Sequence, residues 1–269
     1  MSKLPPVSET GAVLVTGASS GIGEEIAREF YRRGYRVILV ARRADRLQAL
    51  AESLGGNARV LPTDLADPAD RAGLPDQVAA LGLTVDILVN NAGLSNLGPV
   101  ARSAPADELR LVEVDVAAVV DLCSRFVPAM VARRRGAVLN VASVGAFGPV
   151  PWQASYGAAK AFVLSYTEAM REELRGTGVT ASTVCPGPVR TGFGEAAGIP
   201  DEEAEKMLPR FLWETADAVA KTAVDGLDRG KSVIVPGAPN RAAAMLNRLA
   251  PRWALLPMVS RSHPGRQEL

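Results

Sequence analysis

The stretch GAVLVTGASSGIGEEIAREFYRRG, residues 11–34, decides the fold. Its first six residues are an unbroken apolar run, the pattern of a strand buried on both faces of a parallel sheet. GASSGIG follows at once, with glycines at 17, 21 and 23. Ile22, Ile26 and Phe30 then recur at helical spacing. Strand, glycine turn, helix is the context in which a Gly-rich turn carries meaning. Gly17, Gly21 and Gly23 let the backbone come close to a pyrophosphate, and the helix N-terminus supplies free N–H groups and a partial positive charge. The stretch reads as a dinucleotide-binding turn, against the alternative of a merely structural one.

Working outward, residues 36–41 form the next apolar strand. An NAD-binding fold places an Asp or Glu about 20 residues past the glycines to hold the ribose 2′-hydroxyl. Here that place reads Ala41-Arg42-Arg43. Two guanidiniums suit a 2′-phosphate, so NADP(H) is favoured over NAD(H). The alternative is that both arginines only face solvent at a helix start. Residues 45–54 read as that helix, stopped by Gly55-Gly56. A short strand at 59–61 leads to Asp64, which either sits at the ligand edge of the sheet or caps the next helix. Residues 68–81 carry a weaker helical pattern, and the strand at 85–89 delivers Asn90, Asn91, Ala92 and Gly93 to the same edge.

Residues 105–131 form a long helix that Pro128 bends or ends. The strand at 136–142 ends at Ser143, and a helix over 153–175 places Tyr156 and Lys160 one above the other. A cation beside a phenol favours the phenolate. Such a tyrosine trades a proton with an alcohol or carbonyl oxygen near neutral pH, and Ser143 is placed to hydrogen-bond the same oxygen. A sixth strand at 179–184 runs into Cys185-Pro186-Gly187-Pro188-Val189-Arg190-Thr191. Residues 192–213 read as a flap over the substrate site. A helix over 217–229 and a last strand at 231–235 follow. The tail, 238–269, reads as one or two short amphipathic helices that close the substrate pocket, bind another subunit or touch a membrane surface.

Strands and helices alternate through all 269 residues without repeat or linker. One doubly wound α/β domain follows, with a C-terminal helical extension. Hydrophobic residues are 48% and charged residues 22%, ordinary for a soluble globular chain. A net charge of +1 gives no strong attraction to nucleic acid. The two cysteines, Cys123 and Cys185, lie in apolar runs and read as reduced core residues. With a single histidine, His263, they cannot build a usual zinc site, so no metal is expected. The first ten residues are polar with no apolar segment, and no apolar run reaches transmembrane length, so a cytoplasmic protein is expected. The long helices carry surplus apolar surface, including Phe162, Leu164 and Tyr166, which points to a homodimer or homotetramer.

Across residues 10–235 the chain resembles a short-chain dehydrogenase/reductase of the short single-domain form. The motifs that carry the resemblance are Thr16-Gly17-Ala18-Ser19-Ser20-Gly21-Ile22-Gly23, Asp64, Asn90-Asn91-Ala92-Gly93, Ser143, Tyr156-Gly157-Ala158-Ala159-Lys160, and Pro186-Gly187 with Thr191. The resemblance implies a seven-stranded, mostly parallel Rossmann sheet. It implies that Gly17, Gly21 and Gly23 line the pyrophosphate with Ser19, Ser20 and Ile22 beside it, and that Arg42 meets the 2′-phosphate. Asp64 and Leu65 would flank the adenine, and Asn91, Ala92 and Gly93 the adenosine ribose side. Tyr156 would be the general acid/base, Lys160 would bind the nicotinamide ribose, and Ser143 would polarise the substrate oxygen. Val189 and Thr191 would anchor the carboxamide.

One departure stands out. Asp115 occupies the place where the family usually has an asparagine that supports a water chain to the lysine. The expected activity is NADP(H)-dependent interconversion of a carbonyl and an alcohol. The alternative is a sensor or scaffold that binds NADP(H) with little catalysis. Substrate identity is expected in residues 95–100, 145–152, the flap and the tail. There Phe147, Trp152, Phe193, Phe211 and Trp213 suggest a lipophilic compound.

Overall fold

Val13 and Val15 pack into an apolar cluster on one side of the first strand, and Ala12 and Leu14 into a second cluster on the other. All four are buried, so this strand runs through the middle of the molecule. In the computed structural model, which describes residues 2–191 and 209–262, it is β1 (Gly11–Thr16). The remaining strands are β2 (Arg36–Ala41), β3 (Ala58–Pro62), β4 (Thr84–Asn90), β5 (Gly136–Val141), β6 (Val179–Val184), β7 (Val189–Arg190), β8 (Glu214–Thr215) and β9 (Val233–Ile234). Seven of them form one parallel sheet in the order β3-β2-β1-β4-β5-β6-β9.

The expected Rossmann sheet is therefore present. Its order reverses direction between β1 and β4, so the strand ends diverge there and leave a crevice at their C-terminal edge. β7 and β8 pair only with each other, a parallel ribbon of two residues a side that no sequence pattern announced.

Helices α1 (Gly21–Arg32) and α2 (Ala44–Leu54), with the helix Ala216–Asp228, cover one face of the sheet. Phe30, Leu47 and Leu227 are fully buried there. Burial of a side chain of this size contributes roughly 1.5–3 kcal/mol. Helices α3 (Pro68–Ala80), α5 (Ala118–Ala132) and α6 (Ala154–Glu173) cover the other face, and α4 (Pro105–Val112) packs against α6. Asp67 caps α3 by accepting the Ala69 amide at 2.8 Å, which leaves Asp64 to the sheet edge.

Between α4 and α5 the chain makes a π-helical turn, Glu113–Ala117. Pro128 does not end α5, which continues to Ala132. Its missing amide forgoes the bond to Ser124, but Phe126 and Met130 are buried on either side of it and hold the helix in place. Leu164 and Tyr166 of α6 pack against the core, whereas Phe162, 39% exposed, does not.

The tail forms two helices, Ala238–Leu249 and Arg252–Ser262. The first turns Asn240 and Ala244 inward and leaves Met245, Leu246 and Leu249 exposed. Residues 192–208 of the expected flap, Phe193 among them, and His263 lie outside the described residues. No described helix is long and apolar enough to cross a membrane.

Candidate active site

A cleft of about 650 Å³ opens where β1 and β4 part. Thr16, the last residue of β1, fixes its floor. The Thr16 hydroxyl donates to the Val89 carbonyl at 3.2 Å and accepts the amides of Asn91 at 2.9 Å and Ala92 at 3.0 Å. The Asn91 side chain donates back to the Thr16 carbonyl at 3.0 Å. One hydroxyl and one carboxamide thus lock the glycine turn to the loop after β4.

Gly17 and Gly21 have φ of 65° and 61°, the left-handed region that favours glycine. A Cβ on Gly21 would stand 2.9 Å from Thr191, which closes over the turn from the far side. Gly23 differs from expectation. It does not line the cleft; a Cβ there would stand 2.4 Å from the Gly17 carbonyl oxygen, so its role is close packing of α1 against the turn. Ser20 makes no side-chain cap on α1, so the first amides of that helix are left for a ligand or solvent.

At one end of the cleft three guanidiniums gather: Arg42, Arg43 and Arg46. Arg43 donates to the hydroxyls of Ser19 at 2.9 Å and Ser20 at 3.0 Å. Burial, then the charges of Arg46 and Arg42, hold its pKa below the usual guanidinium value. This crowding of cations is the fit expected for a phosphate dianion. Arg46 escaped the sequence reading, although it lies four residues past Arg42 at the start of α2. Asp64 and Leu65 line the same end. Asp64 pairs with Arg110 at 2.8 Å. Partial burial pushes the Asp64 carboxyl up, but Arg110 and the Ala66 amide outweigh it and hold it below the usual range.

At the other end stand Ser143, Tyr156 and Lys160. Ser143 leaves the tip of β5 and caps the short turn Val144–Phe147, its Oγ accepting the Gly145 amide at 3.1 Å. Tyr156 and Lys160 project from the first turns of α6. A buried polar seam sets that helix on the sheet: Asn90 donates to Asn140 at 2.9 Å, and Asn140 to Thr167 of α6 at 2.8 Å. Gly157 allows the contact with the preceding loop, since a Cβ there would stand 2.9 Å from Val150.

Lys160 Nζ lies 5.6 Å from the centre of the Tyr156 ring. It also contacts the Val141 carbonyl at 3.4 Å and the Asp115 carboxylate at 2.8 Å. Gly93 leaves room for this pair: a Cβ there would stand 3.0 Å from Asp115 Oδ2 and 3.1 Å from Lys160 Nζ. Pro186, Gly187, Val189 and Thr191 complete the wall. Gly187 is pressed by the tail, where a Cβ would stand 2.3 Å from Asn240 Oδ1.

Of the aromatic residues expected near the substrate, Phe147 packs against the core instead. Phe211 is 69% exposed, and Trp213 stacks under Arg190 at 5.8 Å. None of the four that are described lines the cleft. Leu94, Val114, Val141 and Ala142 give the lysine end its apolar character.

A doubly wound parallel sheet with a glycine turn, a basic end and a Ser-Tyr-Lys end defines a class of dinucleotide-dependent enzymes. A profile of the short chain dehydrogenase family matches residues 11–200, and the chain belongs to that family. It is 38% identical to the NADP-dependent 3-hydroxy acid dehydrogenase YdfG of Salmonella typhi over 221 residues, 77% of this chain and 88% of the relative. Serine 3-dehydrogenase of Agrobacterium fabrum is 33% identical over 219 residues, 79% of this chain and 86% of that one. Among solved structures, a short-chain dehydrogenase from Sphingobium yanoikuyae in complex with NADPH superposes with a TM-score of 0.77 at 32% identity, covering 96% of each chain.

Proposed function

We propose that this chain is an NADP(H)-dependent oxidoreductase that interconverts a carbonyl and an alcohol on a neutral, largely apolar small molecule. The observation that carries the reading is the meeting of Ser143, Tyr156 and Lys160 at one end of a cleft whose other end holds Arg42, Arg43 and Arg46. The related enzymes described as NADP-dependent or bound to NADPH support the cofactor. The nicotinamide supplies and accepts hydride when bound.

The side chains do the rest. Arg42, Arg43 and Arg46 hold the 2′-phosphate, and the amides at the start of α1 meet the pyrophosphate with Gly17, Gly21, Ser19, Ser20 and Ile22 around it. Asn91, Ala92 and Gly93 shape the ribose side, and Pro186, Gly187, Val189 and Thr191 hold the carboxamide. In reduction, Tyr156 gives its phenolic proton to the substrate oxygen as charge develops there. Ser143 donates a hydrogen bond to the same oxygen; the Gly145 amide on its Oγ fixes the hydroxyl's direction. Lys160 steadies the ribose hydroxyls and the phenolate left behind. In oxidation the same groups run in reverse.

Removing one such donor costs on the order of 2.7–4 kcal/mol. Tyr156→Phe should therefore lower turnover by about 100- to 1,000-fold while NADPH still binds with unchanged affinity by fluorescence titration. Turnover equal to the parent's would refute the assignment. The substrate class is read from the apolar lysine end, where Lys160 is the only cation among the described lining residues and is already paired. NADPH oxidation over a panel of cyclic and long-chain ketones tests it. Preference for 3-hydroxy acids, which the likeness to YdfG favours, would replace the apolar class.

A further inference from the structure

The first tail helix, Ala238–Leu249, turns one side to the molecule and the other to solvent. Asn240 and Ala244 are buried four residues apart, and Asn247 packs on Gly148 from the same side. On the opposite side Met245, Leu246 and Leu249 are 61%, 58% and 73% exposed. Leu249 lies four residues past Met245 and three past Leu246, so the three form one stripe. Trp253, in the first turn of the second tail helix, is 81% exposed. A lone apolar residue on a surface needs no account, but a cluster marks an interaction site.

Arginines border the stripe. Arg241 stands one turn before Met245, and Arg248 stands two turns past Arg241, so both lie along the same edge. Arg252 follows next to Trp253, and all three arginines are exposed. Residues 229–262 carry Arg229, Lys231, Arg241, Arg248, Arg252 and Arg261 and no Asp or Glu. The whole chain has a net charge of only +1, so positive charge is concentrated in this segment. A cavity of about 180 Å³ extends the basic edge, with Arg229, Lys231 and Arg241 in its wall. Asp225 also lines it but is turned to Arg33 and Lys221. Arg241 acts on Glu214 as well, which accepts Asn240 at 3.3 Å on the inward side.

We propose that the outward face of the tail is a docking surface for a lipid bilayer with anionic headgroups. Met245, Leu246, Leu249 and Trp253 enter the headgroup boundary, and Arg241, Arg248 and Arg252 meet the lipid phosphates. A helix with an apolar stripe and a basic edge lies in the plane of such an interface. An arginine stem runs along apolar surface while its guanidinium stays at the phosphates, and an indole favours a boundary that is apolar on one side and wet on the other. A second copy of the chain is a poorer cover. A two-fold contact sets the same patch against itself, which brings the arginines of both copies together with no carboxylate in the segment to pair them. This docking goes beyond the oxidoreductase reading and does not depend on it.

The test is flotation of the full chain with vesicles of phosphatidylcholine alone and of phosphatidylcholine with about one third phosphatidylglycerol. The chain should float with the anionic vesicles and hardly with the neutral ones, and salt raised from about 0.1 to about 0.5 M should release it. Tryptophan emission should move to shorter wavelength on binding, and Trp253→Phe should remove that shift. Arg241→Gln with Arg248→Gln should weaken partition about 25-fold, at about fivefold per charge. Met245→Gln with Leu249→Gln should weaken it by at least about tenfold. Unchanged NADPH affinity in both double variants shows that they are folded. No flotation with anionic vesicles, or flotation that both double variants leave unchanged, would overturn the proposal. Equal flotation with neutral vesicles would overturn the role of the arginines. A dimer that the Met245 and Leu249 variant breaks, without flotation of the parent, would give the face to a second copy instead.

Discussion

At the scale of single residues, the basic end of the cleft divides labour between neighbours. Arg43 is bound to the hydroxyls of Ser19 and Ser20, so it belongs to the glycine turn as much as to a phosphate. Arg42 stands beside it at the cleft rim. A charge-assisted hydrogen bond contributes about 1.5–3 kcal/mol, or roughly 10- to 100-fold in an equilibrium. Arg42→Ala should lower kcat/KM for NADPH by about that factor and leave kcat/KM for NADH nearly unchanged. Arg43→Ala should weaken both cofactors, because the serines of the turn lose their partner. Steady-state kinetics with each cofactor check this, and an equal loss for both cofactors in Arg42→Ala would count against a 2′-phosphate contact. Most of these cleft residues could be read from the chain because each follows a strand end. Arg110 could not: it meets Asp64 from 46 positions away, and only the folded sheet brings α4 over that edge.

At the scale of elements, α1 and the helix Ala216–Asp228 pack side by side on one sheet face and are joined through Arg33, which caps α1 and donates to both Glu29 and Asp225. The Lys221 hydrogen bond first, then Arg33, hold the Asp225 carboxyl below its usual pKa against the effect of burial. A carboxyl lowered by folding stabilises the fold above its unfolded pKa of about 3.9, and that stabilisation is lost as pH falls through the folded value. For so accessible a group the effect is about 0.5–1 kcal/mol. Asp225→Asn should therefore be less stable by about that amount at pH 7, with the gap closing near pH 3. Urea unfolding at the two pH values measures it, and a gap independent of pH would mean that the charge is not what joins the helices.

The strands were legible for the same reason that the sheet is stable. Burial on both faces writes a continuous apolar run, as in residues 11–16 and 36–41. The ribbon of β7 and β8 has two residues a side and no such signature. The π-turn was hidden too, since VEVDV suits an α-helix equally well, and Asp115, which meets Lys160 at 2.8 Å, lies within it. The tail was read as amphipathic, but periodicity does not say which side faces in. The inward residues are Asn240 and Ala244, because the loop at Gly187 and the Leu212 carbonyl offer Asn240 a polar seat, the latter at 3.0 Å.

At the scale of the whole molecule, the last part of the chain returns to the catalytic loops. Asn247 of the first tail helix packs on Gly148, where a Cβ would stand 2.5 Å from its Oδ1. Trp152 is held more tightly still. Its indole N–H donates to the Ser260 carbonyl of the second tail helix at 3.1 Å, and its own carbonyl accepts the Gly98 amide at 2.8 Å. Its φ of 68° lies in the left-handed region, a conformation that costs a bulky residue on the order of 1–3 kcal/mol and persists only where the surroundings fix it. Trp152 stands four residues before Tyr156, so the tail is tied to the loop that leads into the catalytic helix. Trp152→Phe keeps the ring and removes the donor, at about 0.5–1.5 kcal/mol for the lost bond. The tail contacts the loops on the Ser143 and Tyr156 side, and not the end with Arg42, Arg43 and Arg46, which is proposed to hold the adenine half of the cofactor. The expected result is thus a rise in KM for the carbonyl substrate of roughly two- to tenfold, with NADPH affinity unchanged. Limited proteolysis should cut the variant's tail faster than the parent's. A parallel loss of NADPH binding would show that Trp152 supports the whole cleft and not its substrate end.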